Sequence, residues 1–512
     1  MAYSCLSTYK GGGMNKIVDF LIHNFSVKAI VIILFTTISY AFLINNVNLW
    51  TDEMYSVLIA KDSFSDMWKL LLTEDSKPPL YYLYLRFILL FFPEKYEIFG
   101  AHFASYILLI TAQIFSLTAI RKDYGDKVCF WMIVILLLHP ISLWLAFEVR
   151  TYMLTSLLLL ISLVYGLRLT REPKTIDFIK FGVISILSLY SHYYAGIWLM
   201  FLYSMILALY IHDKTFSKYI KPFFITALIV GISFFPWIIV FLGSQEEISK
   251  YWYVNMSFVH FSARFFTNPL QPEILQSLFF IATVLGATSF SFVILLGCFN
   301  TEILSHRLKR LFLVSILSFI FSYLLLIILS YTIRPMVTAR YLKSYALIFY
   351  MAGAVVIATL PCIKKAISTA LIIAFVFTYI DIRAISFDNQ YQKLKNDINS
   401  YVSRDSVILT LDNANLFCEY YLPNHKCILA VNNYGEILRK NTLINNINLY
   451  HQEINEDMYV ISIYNKVSDD CIVYNSSYRV GNGIHLCKLK SDTAKQLVKD
   501  SLDLRLNKYI NS

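Results

Sequence analysis

Asn48-Leu49-Trp50-Thr51-Asp52-Glu53-Met54-Tyr55 follows directly on a long apolar segment, Val27 to Ile44. It puts two adjacent carboxylates where that segment would leave a bilayer. A carboxylate costs several kcal/mol inside hydrocarbon and little at the interface. Two readings follow: a solvated loop start, or an acid pair doing chemistry at the membrane surface. The rest of the chain bears on the choice.

The chain has 512 residues, 57% of them hydrophobic and only 15% charged. Its mean hydropathy is +0.57. A soluble protein carries about a quarter charged residues. The apolar excess falls in many runs long enough to cross a bilayer, so the sequence predicts a polytopic α-helical membrane protein. Aromatics reach 16%, which suits helices that end repeatedly at interfaces. The net charge of +10 lies mostly in short loops, where it reports orientation rather than nucleic-acid binding. Lys10-Gly11-Gly12-Gly13 before Met14 has the codon character of a translated ribosome-binding site, so translation is expected to start naturally at Met14. No cleavable signal peptide is evident.

The first span is expected at 27–44, behind a cytoplasmic segment 1–26. A first outer loop covers 45–97. Within it, Pro78-Pro79-Leu80-Tyr81-Tyr82 through Phe92 is apolar but short for about 30 Å of hydrocarbon and carries Arg86. It reads as an interfacial or re-entrant helix started by the proline pair. Further spans are then expected near 98–120, 128–145, 151–169, 176–192, 194–211, 221–242, 276–299, 311–331, 341–360 and 366–383, about eleven in all. With that count the loops at Arg121/Lys122/Lys127, Arg171/Lys174, Lys214/Lys218/Lys221, Arg307/Lys309/Arg310 and Lys364/Lys365 share one side. That side is cytoplasmic by the positive-inside rule, and Asp52 then faces the periplasm. Neither an internal repeat nor a broken helix of the kind transporters use is read in the sequence.

After about Phe387 the composition becomes polar. Val407–Leu411 and Met458–Ile463 read as buried strands, so 388–512 is expected to be a small soluble α/β domain on the outer face, behind the transmembrane module 27–387. It holds Cys418, Cys427, Cys471 and Cys487. An oxidising compartment allows the local disulfides Cys418–Cys427 and Cys471–Cys487; buried free thiols are the alternative. No Cys and His spacing makes a zinc site.

The polar residues of the outer junctions come from distant loops: Asp52, Glu53, Asp75 and Lys77; Glu148-Val149-Arg150-Thr151-Tyr152; Ser191-His192-Tyr193-Tyr194; Glu246, Glu247 and Arg264; and Arg334 to Tyr341. Each has a plain alternative. Arg150 with Glu148 can be a structural ion pair, His192 can satisfy a carbonyl, and Arg334 and Arg340 can bind headgroups. Together, basic groups at one membrane face suit a phosphate, and acids suit a hydroxyl proton.

The ordered set Trp50-Thr51-Asp52-Glu53, Asp75-Ser76-Lys77-Pro78-Pro79-Leu80-Tyr81-Tyr82, Glu148-Val149-Arg150-Thr151-Tyr152, His192-Tyr193, Phe235-Pro236-Trp237 and Arg340-Tyr341 resembles the bacterial dolichyl-phosphate-mannose protein mannosyltransferase-like group of GT-C glycosyltransferases. The resemblance covers about 27–360. Many relatives have His before the two prolines where this chain has Lys77, so a phosphate role for Lys77 is inferred from its charge alone. The resemblance implies a polyprenyl-phosphate-linked sugar donor, with undecaprenyl phosphate as the bacterial lipid. It implies inverting displacement, with Asp52 as general base and Glu53 binding or orienting acceptor or donor. Arg340, Arg150 and Lys77 would stabilise the leaving phosphate, with His192 and Tyr193 beside them. Glu148, Tyr152, Tyr81, Tyr82 and Tyr341 are the expected substrate contacts. No cofactor is expected; a divalent metal is compatible with Asp52 and Glu53 but not indicated. The expected acceptor is a surface polysaccharide such as O-antigen, the sugar a hexose, and the site the bacterial inner membrane. Lipid A or protein as acceptor, a lipid-linked sugar flippase, and an O-antigen polymerase are the alternatives.

Overall fold

The computed structural model describes residues 24–44, 47–75, 77–243, 290–332, 339–360, 363–386, 390–402, 407–410, 414–429, 458–462, 471–474 and 484–489. The expectations at Met14, Glu246, Glu247, Arg264 and Arg334 lie outside these residues, as do those for the side chains of Asp75 and Arg340.

Helix α1 (Phe25–Ile44) is apolar all round, as a span must be. The acid motif opens α2 (Thr51–Lys61), followed by α3 (Phe64–Leu70), capped by Ser63, and a π turn over Leu71–Asp75. The proline pair then starts α4 (Leu80–Leu89). Its 10 residues reach about 15 Å, half the hydrocarbon thickness. Lys61, at the end of α2, pairs at 2.7 Å with Glu97, at the start of the next helix. So the chain that follows α4 comes back to the end of α2. Arg86 of α4 donates to the backbone carbonyls of Ala60 and Asp62. A cation there satisfies the orphan carbonyls of α2 and complements its dipole, which accounts for an arginine inside an apolar segment.

Helix α5 (Glu97–Phe115) continues through a π turn to Tyr124. Next come α6 (Asp126–Leu138) and α7 (Pro140–Phe147), which meet at a 64° bend. The uninterrupted span expected at 128–145 is therefore broken. Pro140 cannot donate to the preceding turn, and His139 Nδ1 accepts the Ile141 N–H at 3.2 Å and the Tyr350 hydroxyl at 2.8 Å. The His139-Pro140 dipeptide is the sequence signal for this break.

The bundle continues with α8 (Tyr152–Arg168), α9 (Thr175–Ser191), α10 (Tyr193–His212) and α11 (Phe216–Gly243). Then follow α12 (Phe290–Phe299), α13 (His306–Thr332), α14 (Ala339–Leu342), α15 (Ala346–Thr359) and α16 (Lys364–Ser386). A Cβ on Gly353 would overlap the Phe290 ring, so glycine is what lets α12 and α15 touch. The basic loops gather at the end away from Asp52. There Arg168 pairs with Asp123 at 2.6 Å, Arg307 reaches the Asp123 carbonyl, and Arg310 pairs with Asp213.

The polar C-terminal part carries α17 (Gln390–Tyr401), β1 (Val407–Thr410), α18 (Ala414–Tyr421), β2 (Lys426–Leu429), β3 (Met458–Ser462), β4 (Cys471–Tyr474) and β5 (Ile484–Leu489). The sheet order is β2-β1-β3-β5-β4. β1 is parallel to β2 and β3; β5 is antiparallel to β3 and β4. Cys471 lies opposite Cys487 in register, and Cys487 is disulfide-bonded. Cys418 and Cys427 are free thiols in contact with each other, so the expected bond between them is absent; the free-thiol alternative applies there, with Cys418 buried and Cys427 half-buried.

Candidate active site

Adjacent residues on a helix point about 100° apart, so Asp52 and Glu53 cannot face the same way. Glu53 turns inward and has no exposed surface. Its Oε2 accepts the Trp50 N–H at 3.1 Å, closing the first turn of α2. Its Oε1 accepts the Val149 N–H at 2.9 Å. A carboxylate acceptor buried on two backbone donors is a strong local tie. The sequence reading gives Glu53 a substrate contact; its position instead makes it the clamp between α2 and the 148–150 turn.

Asp52 is only partly buried, on the other face of α2. Arg150 reaches under it: one guanidinium nitrogen donates to the Asp52 carbonyl at 3.0 Å and to Ser56 Oγ at 2.9 Å. Burial opposes the charge of Arg150, but Asp52 and the hydroxyls of Tyr152, Tyr82 and Tyr341 outweigh it and hold the guanidinium firmly protonated. Four separate segments thus meet at this arginine.

His192 joins α9 to α10. Its Nδ1 accepts the Tyr194 N–H at 3.1 Å, which fixes the proton of the neutral ring on Nε2. Burial first, then Arg150 and Lys77, push its pKa down to about 3. His192 is therefore a neutral donor rather than a cation or a base at ordinary pH. Its ring lies 5.4 Å from that of Tyr341, 5.1 Å from Tyr194 and 6.1 Å from Tyr152. Thr151 donates to the Ser191 carbonyl at 2.7 Å, which locks the start of α8 to the end of α9 beneath this cluster. Lys77 stands 5.1 Å over the Tyr55 ring and close enough to His192 to act on its charge.

The remaining expected residues divide. Tyr81 and Tyr82 are buried on α4, with rings 6.1 Å apart. Glu148 is 1% exposed, and its carbonyl receives the Ser105 hydroxyl; it belongs to the packing of the turn more than to an open cleft. Tyr193 packs on α11, 4.5 Å from the Phe241 ring. Tyr193, expected beside the donor phosphate, thus packs away from His192's ring cluster, and Tyr194, one residue on, joins that cluster. Ser56 and Lys343 were not singled out by the sequence. Ser56 lies one helical turn after Asp52, a spacing that could have found it. Lys343 has no exposed surface. Its ammonium sits 4.1 Å from the Trp144 ring, which stacks on Tyr152 at 5.7 Å. Among the described residues no three His, Cys, Asp or Glu side chains gather as a metal site.

The arrangement offers one partly exposed carboxylate, two nearby cations, a neutral imidazole N–H and a wall of tyrosines, all at one end of a membrane bundle. The fold and this placement define a polytopic α-helical membrane protein carrying a small α/β domain. Its backbone is similar to the crystal structure of ArnT from Cupriavidus metallidurans in the apo state: TM-score 0.54 at 9% identity, covering 89% of this chain and 97% of ArnT. The structure of the same ArnT bound to undecaprenyl phosphate superposes with a TM-score of 0.53 at 9% identity over the same shares. No protein-family model matches the chain, and no curated protein sequence matches it.

Proposed function

We propose that this protein is an integral membrane glycosyltransferase of the bacterial inner membrane. It moves a sugar, a hexose by our reading, from an undecaprenyl-phosphate-linked donor to an envelope acceptor at the periplasmic face. The acceptor we favour is a surface polysaccharide such as O-antigen. One observation carries the reading: Asp52, Arg150, Lys77, His192 and Tyr341 come from distant segments and act on one another at one end of the bundle. A neighbour in fold binds undecaprenyl phosphate, which supports the donor class.

In this mechanism the acceptor hydroxyl attacks the anomeric carbon from the side opposite the lipid phosphate. Asp52 takes the hydroxyl proton as the new glycosidic bond forms. The bond from the anomeric carbon to the phosphate oxygen breaks, and the leaving phosphate keeps the electron pair. Arg150, Lys77 and Arg340 stabilise that charge, so the leaving group needs no proton. His192 donates Nε2–H to a donor oxygen. Glu53 holds α2 against the 148–150 turn, so Asp52 and Arg150 keep their spacing.

The break at His139 favours a second reading, a flippase for lipid-linked sugar, because discontinuous helices line transport sites. Mass spectrometry of surface glycans from cells with the gene, without it, and with Asp52→Asn separates the two. A transferase loses a sugar-sized mass addition in both the deletion and the variant, while the variant protein still accumulates. A flippase keeps its function in Asp52→Asn, and that result would remove the transferase reading.

A further inference from the structure

The C-terminal domain lies outside the motifs that carry the proposed chemistry, yet it touches the chain just before the acid helix and reaches the helix's far end through Glu97. The Leu49 N–H, immediately ahead of Trp50-Thr51-Asp52-Glu53, donates to the Tyr421 hydroxyl at 3.3 Å. The neighbouring Tyr420 hydroxyl donates to Glu97 Oε1 at 2.8 Å. The other oxygen of Glu97 holds Lys61, the last residue of α2, at 2.7 Å. Burial and Glu97 hold the Tyr420 hydroxyl far above its ordinary pKa, so it remains a donor. Phe417, Cys418, Tyr421 and Leu422 of the α18 segment are buried in the same apolar core as Met54 and Val57 of α2. Leu49 has no exposed surface, so its N–H has no water to turn to if the tyrosine oxygen is removed.

We infer that α18 is a strap across the acid helix, and that Tyr421 and Tyr420 are positioning residues that, together with the Glu53–Val149 bond, hold the Asp52 carboxylate at its distance from Arg150. The Tyr421 bond fixes where the chain enters α2. The Tyr420–Glu97–Lys61 chain fixes where α2 ends. These anchors restrain α2 at its two ends, and Arg150 is attached to its first two turns through the Asp52 carbonyl and Ser56. The domain's role is thus to keep the base in place. This rests on the reading of Asp52 as base.

The test uses the full-length protein in detergent or proteoliposomes. Tyr421→Phe and Tyr420→Phe each remove one oxygen and keep the ring. Turnover should fall about tenfold in Tyr421→Phe, with the donor KM unchanged, because a small misplacement of a reacting group is costly in rate. The acidic limb of its pH–rate profile should move to higher pH, because a carboxylate farther from a guanidinium is protonated more easily. Hydrogen exchange of the 48–61 amides should quicken in both variants. A merely structural role would lower thermal stability and leave the limb and the KM-to-kcat split where they were; that outcome overturns the strap. If Tyr421→Phe does not accumulate, Tyr420→Phe is read by the same measures. Asp52→Asn is the control. Wild-type turnover there removes the base reading, whereas an inactive Asp52→Asn beside an unaltered Tyr421→Phe and Tyr420→Phe removes the strap alone.

Discussion

Glu53 and Val149 are joined by a hydrogen bond of 2.9 Å from a backbone amide to a fully buried carboxylate. This bond makes the opening of the acid helix and the Glu148–Arg150 turn a single unit. Glu53→Gln would turn one acceptor oxygen into a donor facing an N–H. We expect a loss of about 1–3 kcal/mol, read as a lower thermal midpoint of the purified protein, together with reduced turnover. Glu53→Asp is expected to lose both ties through its shorter reach. Unchanged stability in Glu53→Gln would mean the clamp is dispensable.

For Asp52→Asn the expectation differs. The side chain is only partly buried, so the protein should still fold and accumulate, with a modestly lower melting point from the counter-charge that Arg150 loses, while sugar transfer is lost. A variant that transfers sugar at the wild-type rate would end the case for this base.

Arg150→Lys should fail to substitute. One guanidinium nitrogen serves both the Asp52 carbonyl and Ser56, and an ammonium held there would present no second, coplanar nitrogen to a phosphate. Transfer is expected to fall by about tenfold or more, about 1.4 kcal/mol or more, and the measurement is turnover at saturating donor. Full activity in the lysine variant would reduce Arg150 to a bulk positive charge.

His192 gives a pH prediction. Its folded pKa, near 3, lies below the ordinary imidazole value near 6.5. Below about pH 6.5 the unfolded chain binds the proton more readily than the folded one. Its contribution to stability is therefore fully present above that pH and is lost as pH falls towards 3. Between pH 5 and 9 it does not change charge in the folded protein, so His192→Asn should weaken transfer without moving either limb of the pH–rate profile. A limb that disappears in this variant would show that the histidine titrates during turnover.

Leu90, 76% exposed just after α4, should be labelled as a cysteine from the same side of the membrane as a cysteine at Lys61. Labelling from opposite sides would contradict the return of α4 to the Asp52 end.

Among the described residues five helices are long and apolar enough to cross a membrane, six with the bent pair counted as one. These were legible because hydrocarbon length and hydropathy leave few choices, whereas 276–289 of the expected span 276–299 lies outside the described residues. The short reach of α4 could be read from the same arithmetic. What escaped the sequence depends on direction. Asp52 and Glu53 read as a pair, yet the helical twist sends one to the cleft and the other to the interior. Tyr193 and Tyr194 exchange places for the same reason. Lys343 starts an apolar helix in a pattern that suggests a snorkelling cation, whereas its burial over Trp144 depends on a residue 199 positions earlier. The His139-Pro140 break was written plainly, but hydropathy averages over it. The free state of Cys418 and Cys427 follows from packing that spacing does not encode.

The bend at His139 also sets depth. Eight residues of α7 would advance about 12 Å along a straight helix. Tilted by 64°, they advance only about 5 Å along the α6 axis and about 11 Å sideways. The 148–150 turn therefore stops about 7 Å short of where a straight helix would carry it. Arg150 meets the acid helix there, through the Asp52 carbonyl and Ser56. A lipid phosphate drawn to this guanidinium would be pulled under the level of its neighbouring headgroups, and the sugar it carries would be left between the phosphate and Asp52.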